Sequence, residues 1–346
     1  MALIMHMADA LLSPAVGMAM NVISVAAIGI STTKIKKDEF SEKKIPVMGV
    51  AGAMVFAAQM INFTIPATGS SGHIGGGMLL AGLLGGVPGF LAISAVLIIQ
   101  CLFFADGGLL ALGANIFNLG VIPCLLVYPL VFKPLLMDRI NYKRLTIASV
   151  ACAVIGLELG AFFVVIQTLL SGITELPFGT FAALMLPIHL VIGLVEGIVT
   201  AGILCYVYKM RPEIIESVQT GVRLSGVSIK KVLITLAVLT IVIGGALSLF
   251  ASANPDGLEW AVGNTIKRIG GSDQELETEG AIFDAAAKAQ KSVAFMPDYV
   301  FESEPGNTAG TSVAGIVGAA ITFVMAGATG LIITFVKKSK REEMDA

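Results

Sequence analysis

Charge is scarce in this chain, and its scarcity decides the class. Only 13% of the 346 residues are charged, against 56% hydrophobic, with a mean hydropathy of +0.89. That polar surface is far too small to cover a soluble body of this size, so the chain reads as an integral membrane protein. Strand-like alternation is missing, which excludes an outer-membrane barrel. No Lys or Arg precedes Lys34, so the basic leader of a cleaved signal peptide is lacking and the first helix is expected to be retained. The four cysteines, Cys101, Cys124, Cys152 and Cys205, all fall in apolar segments and form no CxxC. They read as small buried hydrophobes rather than a disulfide framework or zinc knuckle. Enzyme signatures are absent: no HExxH, no GxSxG and no GxxxxGK[ST] occurs, so neither catalysis nor ATP hydrolysis by this chain is expected. No cofactor and no nucleic-acid partner is expected.

What the chain does contain is apolar runs of about 20 residues, the length that crosses a bilayer as a helix. They read at Pro14 to Ile30, Ile45 to Ile65, Gly76 to Gly86, Val87 to Phe104, Ala114 to Phe132, Leu145 to Leu170, Phe181 to Tyr208, Val232 to Ala251 and Ser312 to Val336. The expectation is an all-α polytopic bundle of about nine transmembrane segments, with lipid as its surroundings. The 39 glycines suit close helix packing in lipid, and Gly193, Gly197 and Ala201 form a small-residue ridge. Eighteen of the 22 basic residues lie between segments one and two, five and six, seven and eight, or after the last. By the positive-inside rule this places the N-terminus outside and the C-terminus in the cytoplasm, and the parity favours a crossing by the short third segment. The remaining four basic residues lie in the outer loop 252–311, an acidic stretch read as a small, partly ordered module. A cytoplasmic linker, 211–231, divides seven N-terminal spans (5–210) from a two-span C-terminal module (232–346).

The whole sequence holds three histidines, His6, His73 and His189, and this topology puts all of them on the outer side. A histidine directly after a free amine offers that amine, its own amide nitrogen and a ring nitrogen as three ligands. His73 would complete a planar set of four nitrogens, a geometry that suits Ni(II) or Cu(II). Glycines around His73, from Gly69 to Gly77, either permit a tight turn or let backbone approach a small ion. Because Ala2, Leu3 and Ile4 precede Met5, the amine is available only if translation begins at Met5 or the leader is trimmed, and a start at Met5 is the expectation. Glu158 and Glu196 lie at membrane depth, where ionisable groups are rare. With no Lys or Arg in the spans to pair with, they are expected to be protonated, to glue helices by hydrogen bonds to neighbours such as Gln167 or Asn118, or to pair with a passing cation.

Several stretches now resemble a known family in order: Met5 to Pro14, Gln59 to Phe63 leading to Gly69 to Gly76, Asp106-Gly107-Gly108, Gly113 to Asn118, and His189 to Glu196. They look like the CbiM/NikM family, the substrate-binding membrane subunits of energy-coupling-factor transporters for cobalt and nickel. Asn254 to Glu259 and Met296-Pro297-Asp298-Tyr299 are similar to the PDGLE module, here fused. The resemblance implies metal ligands at Met5, His6 and His73; Asp9, Asn62, Asn115, His189 and Glu196 are expected behind the ligands or along a release path. It further implies a prokaryotic plasma-membrane protein that captures Ni2+ or Co2+ as cargo, nickel slightly preferred, with a transmembrane coupling protein (Q/T-type) and cytoplasmic ATPases (O/A-type) as partners. The alternative is a passive metal channel or a membrane-bound metal sensor.

The amine has a direct test. A chain beginning at Met5 is expected to bind Ni2+ more tightly than one retaining residues 1–4, as read by calorimetric titration of both forms. Equal affinities would remove the amine from the ligand set.

Overall fold

The computed structural model describes residues 6–34, 44–221, 228–270, 280–301 and 309–345. Met5, the basic residues Lys36, Lys37, Lys43 and Arg223, and the acidic run Asp273 to Glu279 lie outside the described residues. The chain opens with α1 (Pro14–Lys34) and α2 (Lys44–Gln59), followed by a hairpin of β1 (Phe63–Ile65) and β2 (Ser70–Gly72). Next come α3 (Gly77–Leu84) and α4 (Gly86–Phe104). The fifth span, Leu112–Leu136, begins as α5 (Leu112–Ile116), winds wider over Phe117–Phe132 around Pro123 and Pro129, and ends as α6 (Lys133–Leu136). The long helices α7 (Tyr142–Ser171) and α8 (Phe178–Met210) follow, then the short α9 (Pro212–Thr220). The C-terminal part contains α10 (Lys230–Gly245), α11 (Gly257–Arg268), α12 (Ala281–Val293) and α13 (Ala309–Asp345).

The protein is therefore all-helical apart from the small hairpin, in which Phe63 pairs with Gly72 and Ile65 with Ser70. Seven described helical segments are long and apolar enough to cross a membrane, and α2 is a shorter apolar one. The expected third segment is short in the structure too: α3 has eight residues, about 12 Å of helix against a hydrocarbon core of about 30 Å. All eight are buried, and the helix ends at Gly85, whose φ of 95° and ψ of 161° break the helical path. The second segment is also shorter than the apolar run suggests, because helix stops at Gln59 and the chain turns into the hairpin. The linker is likewise more than a tether, since α9 buries Ile214, Ile215 and Val218 against the bundle.

α4 is the centre of the bundle, enclosed by α2, α3 and the fifth span, while Val22, Leu130, Ile198 and Ile241 face outward. A protein in lipid gains little from burying such side chains against one another, so close backbone packing must hold the helices together. The ridge on α8 does this. A Cβ at Gly193 would lie 3.0 Å from Val154 Cα, and one at Gly197 would lie 2.6 Å from Val150 Cα, both on α7. The C-terminal hairpin uses the same device, since Gly244 of α10 and Gly315 of α13 meet backbone to backbone. Gly49 and Gly52 of α2 in turn face Phe323 and Thr322 of α13.

Gly197→Leu is expected to destabilise the protein by about 1–3 kcal/mol through overpacking against α7. Gly202→Leu on the same helix has nothing within 4 Å to collide with and should melt like the parent. Thermal unfolding of the two purified variants in detergent is the check, and equal melting would remove the ridge as a packing device.

Candidate metal centre

The segment after Met5 is fixed by the loop between α4 and α5. Met7 N–H donates to Asn115 Oδ1 at 3.1 Å, and Asn115 Nδ2 donates back to Met7 O at 3.2 Å. Gly108 N–H also donates to Met7 O at 3.1 Å, and Ala111 N–H donates to Asp9 Oδ1 at 2.9 Å. Glycine is required at 107 and 108 because the two chains nearly touch. A Cβ at Gly107 would come within 3.0 Å of His6 Cβ, and one at Gly108 would run into Asp9.

This clamp buries His6, which is 4% exposed, and brings its Nδ1 to 2.8 Å from Asp106 Oδ2. A carboxylate accepts, so Nδ1 carries a proton, while Nε2 is buried with no hydrogen-bond partner. The same Asp106 oxygen accepts from the Tyr299 hydroxyl at 2.7 Å. Burial pushes that phenol well above its ordinary range, so it stays a donor.

His73 stands on the loop that follows the hairpin, and that loop is held from above and below. Above, Ser71 N–H donates to Pro255 O and Ser71 Oγ to Asn254 O, each at 2.8 Å. Below, Gly75 N–H and Gly76 N–H donate to the two oxygens of Glu196, at 2.8 and 3.0 Å. From the side, Gln59 Nε2 donates to Gly75 O at 3.0 Å and is itself backed by Gln100 at 2.9 Å. The His73 ring stands edge-on to that of His6, centroids 5.5 Å apart, and its Nδ1 is buried without a partner. Burial, reinforced by His6, lowers the His73 pKa to about 3. Its imidazole is therefore neutral at physiological pH, the form that binds a metal.

A cavity of about 70 Å³ is bordered by both rings, and also by His189, Asn115, Asp256 and Gly257. His189 donates Nδ1–H to Met185 O at 2.8 Å, which leaves its Nε2 unprotonated. Of the expected site residues, His6, His73, Asn115 and His189 thus meet at one cavity. Asp9 is occupied in fastening the N-terminal turn, and Asn62, whose carbonyl accepts from Ser252 N–H at 2.7 Å, does not border it. Glu196 lies one layer beneath, and Met5 lies outside the described residues. Among the described residues no three of His, Cys, Asp or Glu stand close enough to hold an ion together. A pair of imidazoles therefore needs further ligands.

Sequence reasoning missed the cover of this cavity. Asp256 borders it while its Oδ1 accepts Glu259 N–H at 2.8 Å to start α11. Burial pushes the Asp256 carboxyl well above the usual carboxylate range. Trp260 donates to Thr68 O at 2.9 Å, and Gln290 of α12 donates to Gly107 O at 2.7 Å. Asp256 and Tyr299 both lie in stretches singled out by sequence, but nothing there links them to residues about 190 positions earlier.

Residues 6–214 match the family described as the cobalt uptake substrate-specific transmembrane region, CbiM. The chain belongs to the CbiM family. Residues 230–335 match the PDGLE domain, so this CbiM-family chain carries that domain fused at its C-terminal side. It is 32% identical over 327 residues to a protein of Archaeoglobus fulgidus assigned as a fused nickel transport protein, NikMN, covering 93% of this chain and 96% of that one. It is 29% identical to the cobalt transport protein CbiM of Sorangium cellulosum over 56% of this chain and 84% of that protein. A crystal structure of a transition metal transporter superposes with a TM-score of 0.53 at 27% identity, covering 62% of this chain and 99% of that one. The protein is a multi-pass membrane component of transition-metal uptake.

Asn115→Ala leaves Met7 N–H without its buried partner, a change worth about 1–3 kcal/mol. Hydrogen exchange should show faster exchange across residues 6–12 with the helices unaffected. Unaltered protection of that segment would mean that Asn115 does not hold it.

Proposed function

We propose that this chain is the substrate-capture component of an energy-coupling-factor type importer, taking Ni2+ or Co2+ into the cavity between His6 and His73. The observation that carries the reading is the pair of buried imidazoles with unpartnered nitrogens bordering one small cavity. Asp106 behind His6 supports it, since a carboxylate on the far ring nitrogen fixes the tautomer and raises ligand basicity. Nickel is the favoured ion, a preference supported by the fused PDGLE domain and by the nickel assignment of the relative aligned over 93% of the chain.

Two ligand modes follow from the chemistry of His6. With Asp106 in place, Nε2 faces the ion. With a free amine at Met5, the fused chelate through the His6 amide closes a six-membered ring only at Nδ1, the atom that Asp106 holds here. The amine-dependent mode therefore exchanges Asp106 for the ion. The N-terminus is assigned to the outside and the C-terminus to the cytoplasm, with nine crossings. The third of these is the short segment Gly76 to Gly86, which contains α3 and whose far end at Gly85 faces Val218 of α9. With no ATP-binding motif in the chain, a transmembrane coupling protein and cytoplasmic ATPases supply the energy.

His73→Ala is expected to abolish Ni2+ binding by the purified protein and uptake by cells, without loss of helical content. Metal content equal to that of the parent protein would overturn the assignment.

A further inference from the structure

We propose that Glu196 is the latch of an inner gate beneath the histidine cavity, and the first protein ligand the ion meets on leaving it. The inference rests on the capture reading and concerns the step after it.

Glu196 is buried midway along α8, seven residues beyond His189, which sets it about 10 Å further along the helix toward Lys209 and Arg211. Neither of the two ion pairs among the described residues involves it. Both its oxygens are instead occupied by Gly75 and Gly76 N–H. Gly75 and Gly76 lie between His73 and the first turn of α3, so this carboxylate ties α8 at once to the start of α3 and to the loop that carries His73.

That loop is the partition between two spaces. Gly75, together with Leu119 and Leu157, borders the histidine cavity on one side and a second space on the other, which is lined by Asn118, Gly156 and Glu196. The second space measures about 10 Å³, the lower limit for holding a single water, so it admits no hydrated ion as it stands. Opening it requires Gly75 to Gly77 to move away from Val55, Leu119 and Pro123, on which Gly76 and Gly77 pack closely. Gly76 and Gly85, at φ of 78° and 95°, bracket α3 as joints at its two ends. Gly85 has nothing nearer than 3.8 Å to its would-be Cβ.

The chemistry couples ion to gate. A carboxylate oxygen that binds a divalent cation gives up the N–H donors it held, so an ion arriving at Glu196 competes directly with Gly75 and Gly76. Its arrival frees the loop, and its departure lets the two N–H groups return.

The test compares Glu196→Gln and Glu196→Asp with the parent in two assays. One is equilibrium Ni2+ binding by the purified protein, which also reports folding. The other is radioactive nickel uptake by the native host carrying each allele with all other genes intact. Glu196→Gln, which keeps one acceptor but loses the charge, should reduce uptake about tenfold more than it weakens Ni2+ affinity. Glu196→Asp should recover part of the uptake. Parental uptake in the Gln variant overturns the proposal, and so does a parallel fall in affinity and uptake, which would make Glu196 only a positioning residue for His73. Failure of the parent itself to bind Ni2+ would overturn the capture reading and this inference with it.

Discussion

The constraint on which the rest of the structure depends is the non-helical backbone between Gln59 and Gly77. A helix satisfies its own N–H and C=O groups, whereas a buried loop leaves them open, at a cost of several kcal/mol for each unsatisfied group in apolar surroundings. The protein answers with side chains aimed at the loop. Glu196 takes two N–H groups, Gln59 serves Gly75 O with Gln100 behind it, and the C-terminal part receives Ser71 and serves Asn62. Buried polar residues that look costly one by one in the sequence are thus the partners of a single irregular strand. The benefit is a neutral imidazole held beside a second one, which a regular helix would not have placed there.

The same logic explains why the two family regions do not pack as separate bodies. The stretch from Asn254 to Tyr299 supplies backbone acceptors to the hairpin, one border of the histidine cavity, and the hydroxyl on the carboxylate behind His6. Gly257 in particular sits so close to α8 that a Cβ would lie 2.8 Å from Ile188 and 3.2 Å from the His189 ring. A glycine at that place in the motif is therefore a matter of contact with the other region.

Much of this was legible in the sequence. Apolar length and the absence of charge gave the helical spans, and glycine spacing on α8 gave its packing face. Rarity alone singled out His6, His73 and His189, which converge. Other features were not legible, for physical reasons. The third segment reads as apolar whether it is helix or buried loop, because hydropathy measures surroundings and not backbone conformation. Asp106 and Tyr299 are ordinary residues whose importance arises from a contact between positions 193 apart, and no local pattern encodes such a pair. Asp9 and Asn62 seemed fitted to the site by type and neighbourhood. Each instead satisfies a backbone group, Asp9 by side chain and Asn62 by its own carbonyl.

The backbone meeting of Gly244 with Gly315, and the docking of α13 on α2, anchor the C-terminal hairpin in the same bundle as the cavity its outer loop borders. A cover supplied by a separate polypeptide would reach its seat by collision, with occupancy set by how much of each chain the cell makes. Joined in one chain, it arrives at an effective local concentration in the millimolar range or above, and its seating becomes a unimolecular event. Every copy thus leaves the ribosome with its own cover in fixed one-to-one proportion, indifferent to gene dosage.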